Sequence, residues 1–444
     1  MFQLDVRLFR DGWVDLKSSF LQIPGSVCAP CGFKVAAVFC DIKKLGTGKG
    51  SEKKKKGDLA LIVSDVPAAV AAMFTTNQVC AAPVKLSARR AAQNVVQAIV
   101  VNSGNANACT GRQGVLDAKK MTQLTARTLK LKESHVLVCS TGRIGVPMPM
   151  KNVKRGIGEC APLLARSTIN AQQVAEAIIT TDTRRKEIAV EFKIDNRTVR
   201  IGAMCKGAGM IQPGMKQATM LAFITSDVAI ESAVLTRALK IAVAQSFNRI
   251  TVDGDMSTND SVIMLANGLA GNRRLDGVSP YRQKFQRALD LVTLELAKMI
   301  VRDGEGTSRF VTLHVHGARN AREAESAARA IANSSLVRTS WCGGDPNWGR
   351  ILCALGYSGA KVNEAMVDVG YSRPNDEKIR WGFRRGEPAG SLQNLAEITS
   401  AKEFDVHVDL NLGRGQFVMF ASDLTEDYVA LNKGDITEPG TLSG

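Results

Sequence analysis

A chain of 444 residues with 45% hydrophobic content can bury a large core and hold two domains. Formal net charge is +16, part of it in one lysine run at 53–56, yet the four Tyr and four Trp do not interleave with basic runs. That argues against nucleic acid as a partner and suits small acidic substrates. No apolar run reaches membrane-spanning length, and Asp5, Asp11 and Asp15 interrupt the stretch where a leader would be apolar or acid-poor. The expected location is therefore the cytoplasm, with no membrane contact. Ten cysteines scattered among apolar residues fit buried thiols in a reducing compartment. Cys28 and Cys31 have metal or redox spacing, but no second pair or nearby His supports them, so no metal site is expected.

Residues 1–23 show no clear period and read as an extension. Residues 42–56 suit a loop lengthened by the lysine run. A β-rich run at 58–74 ends in small residues. The strand candidate at 98–101 runs into Asn-Ser-Gly-Asn-Ala-Asn at 102–107, a stretch of turn formers and backbone donors. Helical spacing marks 114–130. The strand at 136–139 stops at Ser140, Thr141 and Gly142. Such an end can aim a hydroxyl and a backbone N–H at developing negative charge, although by itself it is usually a turn. The pattern at 152–177 is helical and meets Thr180-Thr181-Asp182-Thr183, which suits a helix end. Short alternating runs at 188–192 and 198–201 predict a hairpin.

The central stretch is 206–227, KGAGMIQPGMKQATMLAFITSD. Gly207, Gly209, Pro213 and Gly214 make a tight loop, and 218–224 is a short, partly β-branched run suited to a buried strand. Thr219 stands at the junction. A threonine held there can attack the carbonyl of the preceding residue. Hydrolysis of the resulting ester frees Thr219 as a new N-terminus, whose α-amine, with a pKa near ~8, is a base for its own hydroxyl. Taken alone, the stretch reads more readily as an ordinary strand start.

Beyond it, 230–246 is an amphipathic helix candidate and 280–301 another. Asp253, Asp255 and Asp260 in the stretch 247–260 lack the closing Glu of a calcium loop. Asp303-Gly304-Glu305-Gly306 is a turn that can point Glu305 into a site. A strand is expected at 310–316, a helix at 321–332 and a hairpin from 405–412 and 415–420. Asp345, Asn347 and Arg350 in GDPNWGR read as a structural polar knot near a subunit contact more than as a catalytic set.

These stretches, KGAGMI…ATMLAFITSD, NSGNANACTG, FNRITVDGDMSTN, GDPNWGR and the closing SDLTEDYVALNKGDIT, resemble the ornithine acetyltransferase family in order and over about 24–437. That family is also called bifunctional glutamate N-acetyltransferase and amino-acid acetyltransferase. The resemblance implies an α/β fold of face-to-face β-sheets covered by helices, a self-processing architecture with an N-terminal threonine nucleophile, shared with a family of aminopeptidases. It implies cleavage between Ala218 and Thr219, giving an alpha chain at 24–218 and a beta chain at 219–444. It assigns Thr219 as nucleophile, Thr141 and Gly142 to the oxyanion hole, and Thr180, Lys206, Glu305, Asn432 and Thr437, with Thr219, to substrate binding. The implied reaction is acetyl transfer from N2-acetylornithine to glutamate in arginine biosynthesis, with no cofactor or metal. Acetyl-CoA is a possible co-substrate, although no phosphate cradle stands out. A tetramer of two alpha and two beta chains is implied. The chain departs from the family at Gly214, where the pattern has Asn, and at Lys216 and Gln217, two added residues before the cleavage bond. The alternatives are a self-processing aminopeptidase or amidase, and an uncleaved paralogue.

Overall fold

The structure is a computed structural model that describes residues 20–43, 56–212 and 220–433. In chain order the first part runs β1 (Leu21–Gln22), β2 (Phe33–Val38), β3 (Leu59–Phe74), α1 (Ala82–Ala91), β4 (Val95–Asn105), α2 (Gly111–Leu129) and β5 (Val136–Arg143). Then come α3 (Met150–Cys160), α4 (Thr168–Ala177), β6 (Lys186–Ile194), β7 (Arg197–Lys206), β8 (Leu221–Ser226), α5 (Ser232–Gln245), β9 (Ile250–Thr251) and β10 (Ser261–Ala266). The last part holds α6 (Arg282–Arg302), β11 (Phe310–Ala318), α7 (Ala321–Asn333), α8 (Ser335–Cys342), α9 (Trp348–Gly356), β12 (Asp368–Ser372), β13 (Arg380–Arg384), β14 (Glu387–Pro388), α10 (Leu392–Thr399), β15 (Glu403–Asp409), β16 (Gly415–Ser422) and α11 (Glu426–Asn432).

The first sheet has the order β1-β6-β7-β8-β10-β3-β4-β5, with β2 also on β3. It is folded over at β3. That strand pairs with β2 and β4 near its start and with β10 over 69–74. Between them its ladder with β4 jumps from Val63↔Ala98 to Ala68↔Val96. Pro67 lies in the jump, where its missing N–H breaks no ladder bond and the extra residues let the strand bend. Apolar side chains of the two halves meet inside the fold: Ile62, Ile99 and Leu137 share one core with Met204, Phe223 and Ile263. Helices α2 and α3 cover one outer face, packing on Leu61, Val100 and Val138. Helices α5 and α6 cover the other, over Ile201, Ile224 and Val262. The expected α/β architecture of sheet covered by helices is thus present, with both halves belonging to one bent sheet.

The second sheet, β14-β13-β12-β15-β11-β16-β9, was not anticipated as a unit. Its Phe310, Val418 and Phe420 join the α5–α6 core, so α6 is apolar around most of its circumference and is buried on two sides. Helices α7 to α10 cover its far face, through residues such as Ile331, Trp341, Ile351 and Leu395.

Two element readings are corrected. The helical run at 152–177 is two helices: Pro162 interrupts it, and the Ser167 hydroxyl caps α4 by accepting from Asn170 N at 3.0 Å. Strands β15 and β16 do not form a hairpin. Both pair with β11 instead, β15 parallel and β16 antiparallel. The predicted hairpin before the centre is β6–β7, closed by Asp195 and Asn196, both at positive φ as a tight two-residue turn requires.

Candidate active site

Five strand ends converge on one place. Strands β4 and β5 run parallel and finish side by side, with Ser103↔Thr141 and Gly104↔Gly142 in register. Strand β7 ends at Lys206, opposite Leu221 at the start of β8, and Leu221 also faces Ser261 at the start of β10. Met220 is buried at this mouth, and its carbonyl accepts from Ser261 N at 2.7 Å. Thr219 precedes Met220 in sequence. Ala218, Thr219 and Thr437 lie outside the described residues, as do Gly214, Lys216 and Gln217.

Of the sequence-predicted residues, the structure brings Lys206, Thr180, Thr141 and Gly142 together. Lys206 Nζ donates to Thr180 Oγ1 at 2.7 Å and to Thr141 Oγ1 at 3.4 Å. Both Lys206 and Thr141 are buried. Gly142 sits at φ +128°, and a Cβ there would meet the Gly104 carbonyl carbon at 2.4 Å, so no side chain fits without moving the backbone.

A polar framework holds these ends. Ser140 Oγ donates to Asn102 Oδ1 at 2.7 Å, and Asn259 Nδ2 donates to the carbonyls of Ala106 and Ser140 at 2.6 and 2.8 Å. Asn105 Nδ2 reaches the carbonyls of Val146 and Pro147. The Asn-rich stretch is therefore wired into the β5 turn and into the loop before β10.

Behind Lys206 lies a buried charge cluster. Lys186 Nζ bonds Asp182 Oδ1 at 2.6 Å and also Asp303. Asp182 further accepts from Gly207 N at 2.7 Å and from Thr180 N at 3.1 Å, which positions the two residues flanking the ammonium of Lys206. Burial pushes the Asp182 carboxyl up, but the ammonium groups of Lys186 and Lys206 and the Gly207 N–H outweigh it and hold it well below the usual range.

Glu305 and Asn432 form a second group. Asn432 Nδ2 donates to Glu305 Oε2 at 2.8 Å, and Glu305 N donates to Ala208 O at 2.9 Å. A Cβ at Gly209 would come within 2.5 Å of the Glu305 carboxylate, so the glycine is what admits that side chain. The segment after Lys206 is strapped by Asp253, which accepts from Met210 N and Ile211 N at 2.6 and 2.8 Å. Asp253 thus serves the backbone.

Sequence reasoning set Asp260 aside with the calcium-loop reading and gave it no other role. It is buried at the mouth of β10, and one of its carboxyl oxygens has no hydrogen-bond partner among the described residues. Burial pushes its carboxyl well above the usual carboxylate range, against the pull of a Ser257 hydrogen bond and of the neighbouring Lys206 charge. Its only signal in the sequence is its place in the stretch 247–260. The Cys28 thiol, by contrast, contacts the carbonyls of Gly25 and Ser167 and is pushed up by burial, which makes it a poor thiolate.

The model of the ArgJ family matches residues 40–435. The chain belongs to the ArgJ family. An arginine biosynthesis bifunctional protein ArgJ from Symbiobacterium thermophilum is 46% identical over 411 residues, covering 92% of this chain and 98% of the relative. The glutamate N-acetyltransferase of Methanocaldococcus jannaschii is 45% identical over 418 residues, with the same coverage of 92% and 98%. Among solved structures, an ornithine acetyltransferase from Mycobacterium tuberculosis complexed with ornithine is 35% identical, at a TM-score of 0.40, over 44% of this chain and 98% of that one. Membership in the ArgJ family agrees with the expected resemblance and makes the chain an acyltransferase. No helix among the described residues is long and apolar enough to cross a membrane.

Proposed function

We propose that this ArgJ-family chain moves an acetyl group from N2-acetylornithine to glutamate, with Thr219 as the acyl carrier after cleavage of the Ala218–Thr219 bond. The Thr219 hydroxyl attacks the acetyl carbon while its own α-amine takes the hydroxyl proton. Collapse of the tetrahedral adduct breaks the C–N bond, and the protonated amine returns the proton to the leaving ornithine nitrogen. Glutamate's amine then attacks the ester, and Thr219 recovers its proton.

The observation that carries this reading is Lys206 held between Thr180 and Thr141 at the mouth of β8. A lysine ammonium only donates, so the Thr141 oxygen accepts from it and the Thr141 proton remains to donate to an oxyanion. Gly142 supplies the companion backbone N–H. Such donors are commonly worth ~3 kcal/mol each in the transition state. The resemblance gives Lys206 to substrate binding, where its ammonium suits a substrate carboxylate; in this reading it also polarises Thr141. Glu305 with Asn432 suits the ammonium end of the substrate, and Thr437 completes the contacts. Acetyl-CoA as a second acetyl donor, a tetramer of two alpha and two beta chains, and residence in the cytoplasm belong to the same reading.

The test combines intact mass with assay. Wild type should yield a polypeptide beginning TMLAF and consume acetylornithine only when glutamate is present. Thr219→Ala should stay uncleaved and lose transfer altogether. Glutamate-independent hydrolysis would favour an amidase, and an active but uncleaved chain would remove Thr219 from its role. CoA release from acetyl-CoA with glutamate decides the second donor.

A further inference from the structure

Three of the chain's four histidines gather on one face of the second sheet. His314 and His316 alternate along β11 and so point the same way. His407 on β15 lies directly opposite His314 in the parallel register. The His314 ring lies 4.8 Å from that of His407 and 6.1 Å from that of His316, and both pairs are stacked nearly parallel, at 6° and 5°. One ring nitrogen from each falls within 4.8 Å of the others.

We propose that His314, His316 and His407 form a binding site for a late first-row divalent metal ion, with zinc as the natural occupant. Three arguments support it. The donors are of one chemical kind, neutral imidazole, which suits zinc, copper or nickel and not magnesium or calcium. The outer contacts are those of metal-bound histidine: His314 Nε2 lies 3.1 Å from Asp405 Oδ2, and His407 Nε2 lies 2.9 Å from Ser372 Oγ. Donation of the Nε2 proton to Asp405 puts the lone pair of His314 on Nδ1 and fixes the ring, as carboxylate–histidine pairs do beside zinc. Finally, the span is within reach. Zn–N bonds of ~2.0–2.1 Å place tetrahedral ligands about 3.4 Å apart, so the nitrogens close in by little more than an ångström through side-chain rotation. The backbone is already fixed by the β11–β15 ladder. Three protein ligands leave the fourth position to water, and the ion would clamp the two strands together.

The test uses tag-free full-length protein, stripped with chelator and titrated with Zn²⁺ by calorimetry. One equivalent per chain should bind. His314→Asn and His316→Asn should each weaken binding at least ~10-fold. His135→Asn, which changes the one histidine outside the cluster, should leave it unchanged. Because ten cysteines offer a rival site, Co²⁺ is the second probe: a histidine site gives tetrahedral visible bands without thiolate charge transfer, and Cys28→Ser should not alter them. Circular dichroism confirms that each variant is folded. Absence of stoichiometric zinc, thiolate bands, or affinity indifferent to His314 and His316 would overturn the proposal.

Discussion

Lys206 shows how much of this site depends on a single side chain. It has three donors and no acceptor, so the two threonines it touches must turn their own protons elsewhere. Lys206→Met removes that constraint while keeping the stem that fills the buried space. We expect kcat to fall ~10²–10³-fold, the loss typical of a disrupted oxyanion donor, with the fold intact. Steady-state assay alongside circular dichroism checks this, and an unchanged kcat would show that Lys206 only fills space. At this scale the sequence was informative where motifs repeat family residue types: Thr141, Thr180 and Lys206 are named from it and found in contact. It saw Asp182 and Asp303 only as turn residues and did not single out Lys186, because a buried ion cluster leaves no local pattern. Asp260 escaped for a related reason, since a carboxylate in a polar turn looks solvated until burial is known.

Elements were legible wherever spacing alone decides them. The period-3.6 runs became α2, α5, α6 and α7, and the Asp195-Asn196 turn closes the expected β6–β7 hairpin. Long-range strand pairing was not legible, since β11 enters between β15 and β16 from far along the chain. The GDPNWGR stretch behaves as the polar knot expected of it. Asn347 Oδ1 accepts from Arg350 N at 3.1 Å and caps α9, while its amide reaches Asp345. Asn347→Ala should cost ~1 kcal/mol of stability through the lost cap. A lower Tm with unchanged kcat/KM is the expected pair of results; a fall in kcat/KM at unchanged Tm would instead place this stretch in the chemistry. Between α5 and α6, Asp290 is held by Gln286, whose amide also reaches Ala238 O. Burial pushes its carboxyl up to about 7. The folded state therefore holds this proton more tightly than the unfolded chain, whose Asp titrates near ~3.9. The penalty is absent below about pH 4, grows as pH rises toward 7, and is full above it, at ~1.4 kcal/mol per tenfold difference in proton affinity. Asp290→Asn should raise Tm little at pH 4.5 and progressively more toward pH 8. A pH-independent difference would contradict the assignment.

At the scale of the whole molecule, the proposed cleavage point and the sheet order set a strict condition. Strands β1 to β7 precede Thr219 in sequence, and β8 and β10 follow it, yet β8 and β10 lie between β7 and β3. The bent sheet is thus closed through its centre by strands from the other half of the chain. Hydrolysis of the Ala218–Thr219 bond would cut the covalent link without separating the products, because every ladder bond of β8 to β7 and of β10 to β3 persists. It would also leave the shared core of Met204, Leu221, Phe223 and Ile263 intact. Residues 1–218 made alone have no such closure: β7 and β3 each present an unpaired edge, and the inner apolar face lacks Leu221, Phe223, Ile263 and Leu265. That half should be insoluble or aggregated. The later half keeps all seven strands of the second sheet and should retain part of its structure, but with β8 and β10 paired only to each other and each bare on its other edge. Coexpression of the two should rescue solubility and return one peak on gel filtration that resolves into two bands on a denaturing gel. Should 1–218 instead prove soluble alone and melt cooperatively, the interleaved strands would not be what holds the halves together, and the active site at their seam would need another explanation for its rigidity.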